Sequence, residues 1–283
     1  MIPLRDLNPT RVPAYLTVAL IVVNVFVFVV QVLRSQADQE LDFYRHGVIP
    51  KCFLTQGDRD KHEAALREAL RPLAKRWLAQ EAAKRGIPPR FVSRESEDRL
   101  AEELREKVGR RHELLTLLTS MFMHGGWLHI IGNMWFLWIF GNNIEDACGR
   151  IRFIPFYVLC GLVATFAHIL TGPSSVMPTI GASGAISGVL GAYILLFPHA
   201  RIVSLIPIGF FYWAEEVPAW IFLAVWILLQ FLGGLPRLHS PASGGVAWFA
   251  HIGGFAAGMA LIHLFRERRA VPPIGIEFDL DDG

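Results

Sequence analysis

Four side chains in this 283-residue sequence are of the types that carry out acyl transfer: Ser183, His251, His129 and Asn133. A serine hydroxyl is a poor nucleophile until a base takes its proton, and a neutral histidine suits that task near pH 7. Ser183 stands in Gly181-Ala182-Ser183-Gly184, at the expected start of a helix. Small neighbours there let a peptide backbone approach, and the free N–H groups of a helix start stabilise a developing oxyanion. His129 and Asn133 are four apart and project from one helical face, from which both can donate to that oxyanion. Ser187, one turn beyond Ser183, is a rival nucleophile on these grounds. His124, Glu145, His168 and His263 are further polar residues near the ends of apolar stretches.

The elements that must position these groups are membrane spans. Hydrocarbon about 30 Å thick takes roughly 20 apolar residues at 1.5 Å each. Runs at 14–33, 127–144, 153–170, 180–197, 217–235 and 246–265 fit that length. No residue from Phe153 to Ala200, 48 positions, is charged. One helix of that size would be about 72 Å long, so the chain must fold back. Thr171-Gly172-Pro173-Ser174-Ser175 supplies the turn. Six spans are predicted, with the shorter pieces 114–123 and 202–213 interfacial or re-entrant. Spans two, four and six start on the same side. His129, Asn133, Ser183 and His251 therefore come to similar depth below one face. Gly184 and Gly188 are four apart, as are Gly254 and Gly258. Small residues at that spacing let two helices approach closely, which brings His251 towards Ser183.

Composition agrees. The chain is 53% hydrophobic and 18% charged, against about a quarter charged for soluble domains. Residues 34–111 hold 18 of the 27 basic and 14 of the 25 acidic residues. The 9 basic and 11 acidic groups left elsewhere are too few for a water-facing surface. Disorder, a nucleic-acid binder and an ordinary cytosolic enzyme are disfavoured. Cys52, Cys148 and Cys160 form neither a disulfide framework nor a paired metal-ligand spacing, and read as one loop thiol and two helix-associated thiols. The first run, 14–33, is too long for a signal-peptide core and no small-residue cleavage site follows it, so it is expected to stay as an anchor. A cytoplasmic N-terminus puts Arg5, Arg11, Arg150, Arg152, Arg201, Arg266, Arg268 and Arg269 inside, against Arg237 outside. Both termini are therefore predicted cytoplasmic. The long first loop would lie outside in spite of its basic residues, because loops beyond roughly 60 residues translocate largely regardless of charge.

That loop is the one soluble-looking region. Leu66, Leu70, Leu73 and Trp77 fall at helical spacing, as do Leu100, Leu104 and Val108. Pro72 is expected to kink or interrupt the first helix, and Gly86-Ile87-Pro88-Pro89 separates the two. Two readings stay open: a helical hairpin that docks a partner or lies on the membrane, and a small self-packed insertion.

At the polar residues the sequence resembles the rhomboid family of intramembrane serine proteases, bacterial type. The motifs are His129-Ile130-Ile131-Gly132-Asn133, Gly181-Ala182-Ser183-Gly184 and Ala250-His251-Ile252-Gly253-Gly254, in order on spans two, four and six. The likeness extends through the stretch from Phe122 to His129 and through Val217-Pro218-Ala219-Trp220, and covers roughly residues 1–50 and 112–268. It implies an all-α polytopic membrane protein, a six-helix bundle; the large hydrophilic helical insertion in the first loop is a departure that the resemblance does not cover. The divisions expected are 1–33 (cytoplasmic N-terminus and first span), 34–111 (extracytoplasmic loop), 112–268 (the catalytic helices) and 269–283 (a cytoplasmic tail, disordered where Glu277 to Asp282 are acidic). It implies a Ser183–His251 dyad, an oxyanion site from His129, Asn133 and the Ser183 N–H, and no metal or cofactor. Supporting roles fall to Gly181, Gly184, Gly254 and Gly258, to Glu145 as a structural residue at the cytoplasmic end of span two, and to His124 lining a water-filled region. The implied substrates are single-span proteins in the lipid bilayer, the implied location a bacterial plasma membrane, and a partner for the insertion is open; no nucleic acid is implied. Many family members carry a Trp-Arg pair where this chain has Leu115-Thr116. A non-catalytic binding protein on the same fold would typically lack the nucleophile or base, and a transporter would show related halves, which are not seen.

Overall fold

The computed structural model describes residues 1–208, 211–238 and 246–267. The tail 269–283, with its acidic stretch, and the arginines at 268 and 269 lie outside the described residues.

The chain is an all-α polytopic membrane fold with one small sheet added. Helices α1 (Tyr15–Val32), α8 (Arg150–Thr171) and α11 (Trp248–Phe265) are each long and apolar enough to cross a membrane. The short α6 (Glu113–Thr119), with the single 3-10 turn after it, and α7 (Trp127–Cys148) pass that test together, bent by 82° at the break between them. The break falls at His124-Gly125-Gly126, where Gly126 has a φ of 155° that only glycine adopts freely. The expected re-entrant piece 114–123 is thus a segment lying across the direction of α7, with Leu114, Leu115 and Leu118 exposed. Two apolar helices are shorter: α9 (Ser183–Leu196) and α10 (Ala219–Gly234). Span four was expected from 180, and α9 starts three residues later because Gly181, at φ 120°, still belongs to the incoming loop. Irregular backbone at membrane depth is tolerated only where it lines a cavity or is buried in protein, and that loop does the former.

The piece 202–213, expected to be interfacial or re-entrant, is instead most of an antiparallel hairpin, β2 (Arg201–Ile208) and β3 (Phe211–Pro218). A third strand from the N-terminus, β1 (Ile2–Asp6), pairs with β2 and places Asp6 opposite Ile202. Short apolar runs do not distinguish strand from helix by periodicity, and the partner strand lies some 200 residues away in sequence.

The hydrophilic stretch folds as α2 (Gln36–His46), α3 (Pro50–Thr55), α4 (Arg59–Lys84) and α5 (Arg94–Val108). Three of its helices, α2, α4 and α5, carry polar N-caps: Ser35, Asp58 and Ser93 each accept from a backbone N–H three residues on. Leu41, Tyr44, Ile49, Cys52, Leu66, Leu70, Leu73, Ala101, Leu104 and Val108 form a core of their own, separate from that of the membrane helices. The self-packed reading of the two open ones is what the helices display. Pro72 does not interrupt α4, which runs unbroken for 26 residues. Burial of Ala69, Leu70, Leu73 and Ala74 on both sides of the proline offsets its missing hydrogen bond. Cys52 sits on α3 rather than in a loop, and burial pushes its thiol up to about 12, which leaves it inert.

Among the described residues, none of the six apolar helices, α1 and α7 to α11, has a side-chain cap of its own. The start of α1 borrows one from α7: the Glu145 carboxylate accepts from the N–H of Leu16 (3.0 Å), the N–H of Thr17 (2.7 Å) and the Thr17 hydroxyl (2.8 Å). Close by, Asp6 accepts from Asn143 Nδ2 and the Tyr193 hydroxyl, tying β1 to α7 and α9. Burial outweighs these bonds and raises the Asp6 carboxyl to about 6.

Candidate active site

The first turn of α9 lies against α11 along a seam of glycines. A methyl at Gly254 would overlap the Gly184 carbonyl, and one at Gly258 would overlap the Gly188 carbonyl. Gly191 meets the Phe255 backbone in the same way. With no side chains between them the two backbones touch. His251, three residues before Gly254, therefore comes level with Ser183, one residue before Gly184.

Ser183 Oγ and His251 Nε2 are 2.8 Å apart. The other ring nitrogen, His251 Nδ1, is 2.8 Å from the side-chain oxygen of Gln230 on α10. The ring lies between aromatic neighbours: Trp226 at 5.9 Å, tilted by 34°, and Trp248 at 6.4 Å, edge-on. Ser187 is buried and its hydroxyl donates to the Ser183 carbonyl at 2.6 Å. That bond occupies the proton a base would have to take.

His129 and Asn133, on α7, face the same place. The Gly125 N–H donates to His129 Nδ1 at 3.2 Å, which leaves Nε2 as the donor nitrogen. A methyl at Gly181 would stand 2.8 Å from His129 Nε2 and 3.7 Å from Asn133 Nδ2, so only glycine lets both reach the start of α9. Asn133 Nδ2 is buried with no hydrogen-bond partner among the described residues. The Ser183 N–H, in the first turn of α9, has no partner within the helix. Three donors thus converge beside the Ser183 hydroxyl. They border a cavity of ≈ 950 Å³ whose lining includes His129, Asn133, His168, Ser183, Trp226 and His251.

His124 is fully buried and stands behind the cavity wall rather than in it, its ring 5.2 Å from that of His129. Gln31 of α1 holds it there, donating to the His124 carbonyl at 2.6 Å. Glu145 is remote from the cavity, at the cap of α1. Residues 172–182, which deliver Ser183, are pinned from outside the membrane helices. Val48 and Thr179 exchange two backbone hydrogen bonds, the Lys51 N–H donates to the Ser175 carbonyl, and the Gly181 N–H donates to Ser120. The first two anchors belong to the insertion. Arg111 ties the insertion to α6 beside these anchors: it forks onto Glu113 and donates to the Gly47 carbonyl, while His62 of α4 meets the same carboxylate at 2.9 Å.

Sequence reasoning singled out Ser183, His251, His129, Asn133 and the glycines, and the fold brings them together. It missed Gln230 and Gln31. The available signal was polarity: Gln230 is the one amide or ionisable side chain in α10, and it is buried.

A family model described as a rhomboid domain matches residues 111–268. RHOMBOID-like protein 5 of Arabidopsis thaliana is 31% identical over 159 residues, 56% of this chain and 46% of that protein. Rhomboid-like protease 5 of Toxoplasma gondii is 29% identical over 56% of this chain and 18% of its own length. Rhomboid protein 1, mitochondrial, of Saccharomyces cerevisiae is 33% identical over 31% of this chain and 27% of its own length. The chain belongs to the rhomboid family and is an integral membrane protein. It spans less than half the length of these curated relatives. The expected bacterial type is not borne out, since these relatives are plant, apicomplexan and yeast mitochondrial proteins.

Proposed function

We propose that the chain is a serine endopeptidase acting inside the membrane on the membrane-spanning segments of other proteins. The observation that carries this is the 2.8 Å contact between Ser183 Oγ and His251 Nε2 at the wall of a cavity with unspent donors. His251 takes the Ser183 proton as Oγ attacks the scissile carbonyl. The oxyanion receives hydrogen bonds from His129 Nε2, Asn133 Nδ2 and the Ser183 N–H. His251 then gives its proton to the leaving amine. A water activated by the same imidazole hydrolyses the acyl-enzyme. A relative that bears the word protease in its name supports the reading. A peptide bond inside a helix is shielded, so substrates with helix-weakening residues are favoured.

The same reading has six spans, α1, α7, α8, α9, α10 and α11, with both termini on one side and the insertion and the site towards the other.

A fluorophosphonate probe on the detergent-purified protein tests the nucleophile without a known substrate. Wild type and Ser187→Ala label, while Ser183→Ala and His251→Ala do not. Labelling lost with Ser187→Ala and kept with Ser183→Ala reverses the assignment. A folded wild type that never labels removes the protease reading.

A further inference from the structure

Gln230 makes two hydrogen bonds that together determine where the protons sit on His251. Its Nε2 donates to the Trp226 carbonyl at 3.0 Å, one turn back on α10. Its Oε1 is thereby the atom that faces His251 Nδ1 at 2.8 Å. An amide oxygen only accepts, so Nδ1 carries the hydrogen and Nε2 presents its lone pair to the Ser183 hydroxyl. The opposite amide orientation sets Oε1 against the Trp226 carbonyl, two acceptors in contact, and puts a hydrogen on Nε2 where the base must be bare. The side chain has no solvent to turn to: Gln230 is buried, on an α10 whose Leu228, Leu229, Phe231 and Leu232 are exposed along its outer surface. Burying a lone amide in an apolar span is unfavourable unless its groups are satisfied, and here each finds one partner. Trp226 serves twice, as acceptor for Gln230 and as the face against which the His251 ring lies.

We propose that Gln230 is a positioning residue of the reaction: it locks His251 in the Nδ1–H tautomer and orients the ring so that Nε2 accepts the Ser183 proton. The proposal rests on the serine endopeptidase reading. It makes the working unit a Ser183–His251–Gln230 relay whose third member is neutral. A carboxylate in that place would have to be desolvated, and an amide avoids that cost.

The test combines variants with a direct reading of the proton. Gln230→Leu keeps the volume and removes the acceptor; Gln230→Glu restores an acceptor. Fluorophosphonate labelling rates are resolved into a binding constant and a limiting rate, and ¹⁵N-histidine NMR, assigned with His251→Ala, reports the tautomer. In wild type, His251 shows a protonated Nδ1. In Gln230→Leu the limiting rate falls by about tenfold to a hundredfold, the size expected for losing a hydrogen bond to a group that becomes charged. The binding constant holds and the His251 signal becomes a tautomer mixture. Gln230→Glu, as a neutral carboxylic acid, keeps a donor for the Trp226 carbonyl and an acceptor for His251 Nδ1, and recovers most of the rate. A wild-type His251 protonated on Nε2 overturns the proposal whatever the variants do. So does a Gln230→Leu that labels at the wild-type rate, or equal losses in both variants with an unchanged tautomer signal, which mark mere packing between α10 and α11. Ser183→Ala, labelled in parallel, separates the two levels: if it still labels, Ser183 is not the nucleophile of the proposed endopeptidase, and the tautomer is judged on its own signal.

Discussion

Replacing Gly254 with alanine asks whether the glycine seam sets the distance between Ser183 and His251. The added methyl lands on the Gly184 carbonyl, which is backbone and has no rotamer to escape into. To reach an ordinary carbon–oxygen contact of about 3.3 Å, α9 and α11 must separate by on the order of 1 Å. That opening stretches the 2.8 Å hydrogen bond between Ser183 Oγ and His251 Nε2 beyond hydrogen-bonding range. Misplacement of about 1 Å costs on the order of a hundredfold in rate, and overpacking a tight contact costs about 1–3 kcal/mol in stability. Gly254→Ala is therefore expected to label with the fluorophosphonate about a hundred times more slowly and to melt several degrees lower. Gly132→Ala is the matched control: its methyl meets nothing within 4 Å on α7, so the melting temperature holds or rises as helix propensity improves. The assay is labelling rate beside a thermal melt in the same detergent. A Gly254→Ala protein that labels and melts like wild type refutes the idea that backbone contact fixes the dyad.

Two further predictions concern the end of the bundle opposite the site. Glu145→Gln leaves the cap of α1 half-made and should lower stability by about 1–3 kcal/mol, read as a lower melting temperature, while the labelling rate of the folded fraction stays within about twofold of wild type. Asp6, with a carboxyl raised to about 6 from an ordinary 3.8, binds its proton more tightly in the folded chain than in the unfolded one. Its stabilising share is therefore full below about pH 4 and lost as pH rises through 6, with an upper size of about 3 kcal/mol that partial exposure reduces. Asp6→Asn should flatten the decline in melting temperature between pH 4.5 and 7; an unchanged decline would place its origin elsewhere.

The candidate site was legible in the sequence because its information is local. The parity of the apolar runs gives depth, and glycines four apart mark the seam. A serine within Gly181-Ala182-Ser183-Gly184 marks a helix start. What stayed hidden depends on partners remote in the chain. Gln230 looks like a stray amide until α10 is seen beside α11. Nothing near Ile202 announces that Ile2–Asp6 will pair with it, so the hairpin reads as an interfacial stretch. The insertion was ambiguous because leucines at helical spacing serve a self-packed core and a docking face equally well; that they share a buried cluster is visible only in three dimensions. Pro72 misled in a simple way, since a proline's local penalty was outweighed by burial on either side of it.

The bridge between Val48 and Thr179 joins positions 131 residues apart. Contacts that close so long a stretch of chain form late, after local helices and short hairpins have gained their own contacts. The bridge needs the first loop folded and the helices from α6 to α8 already in place. The loop that presents Ser183 is consequently among the last parts to settle. On the protease reading, a chain whose first loop has not yet met residues 172–182 carries Ser183 and His251 without the contacts that seat the serine.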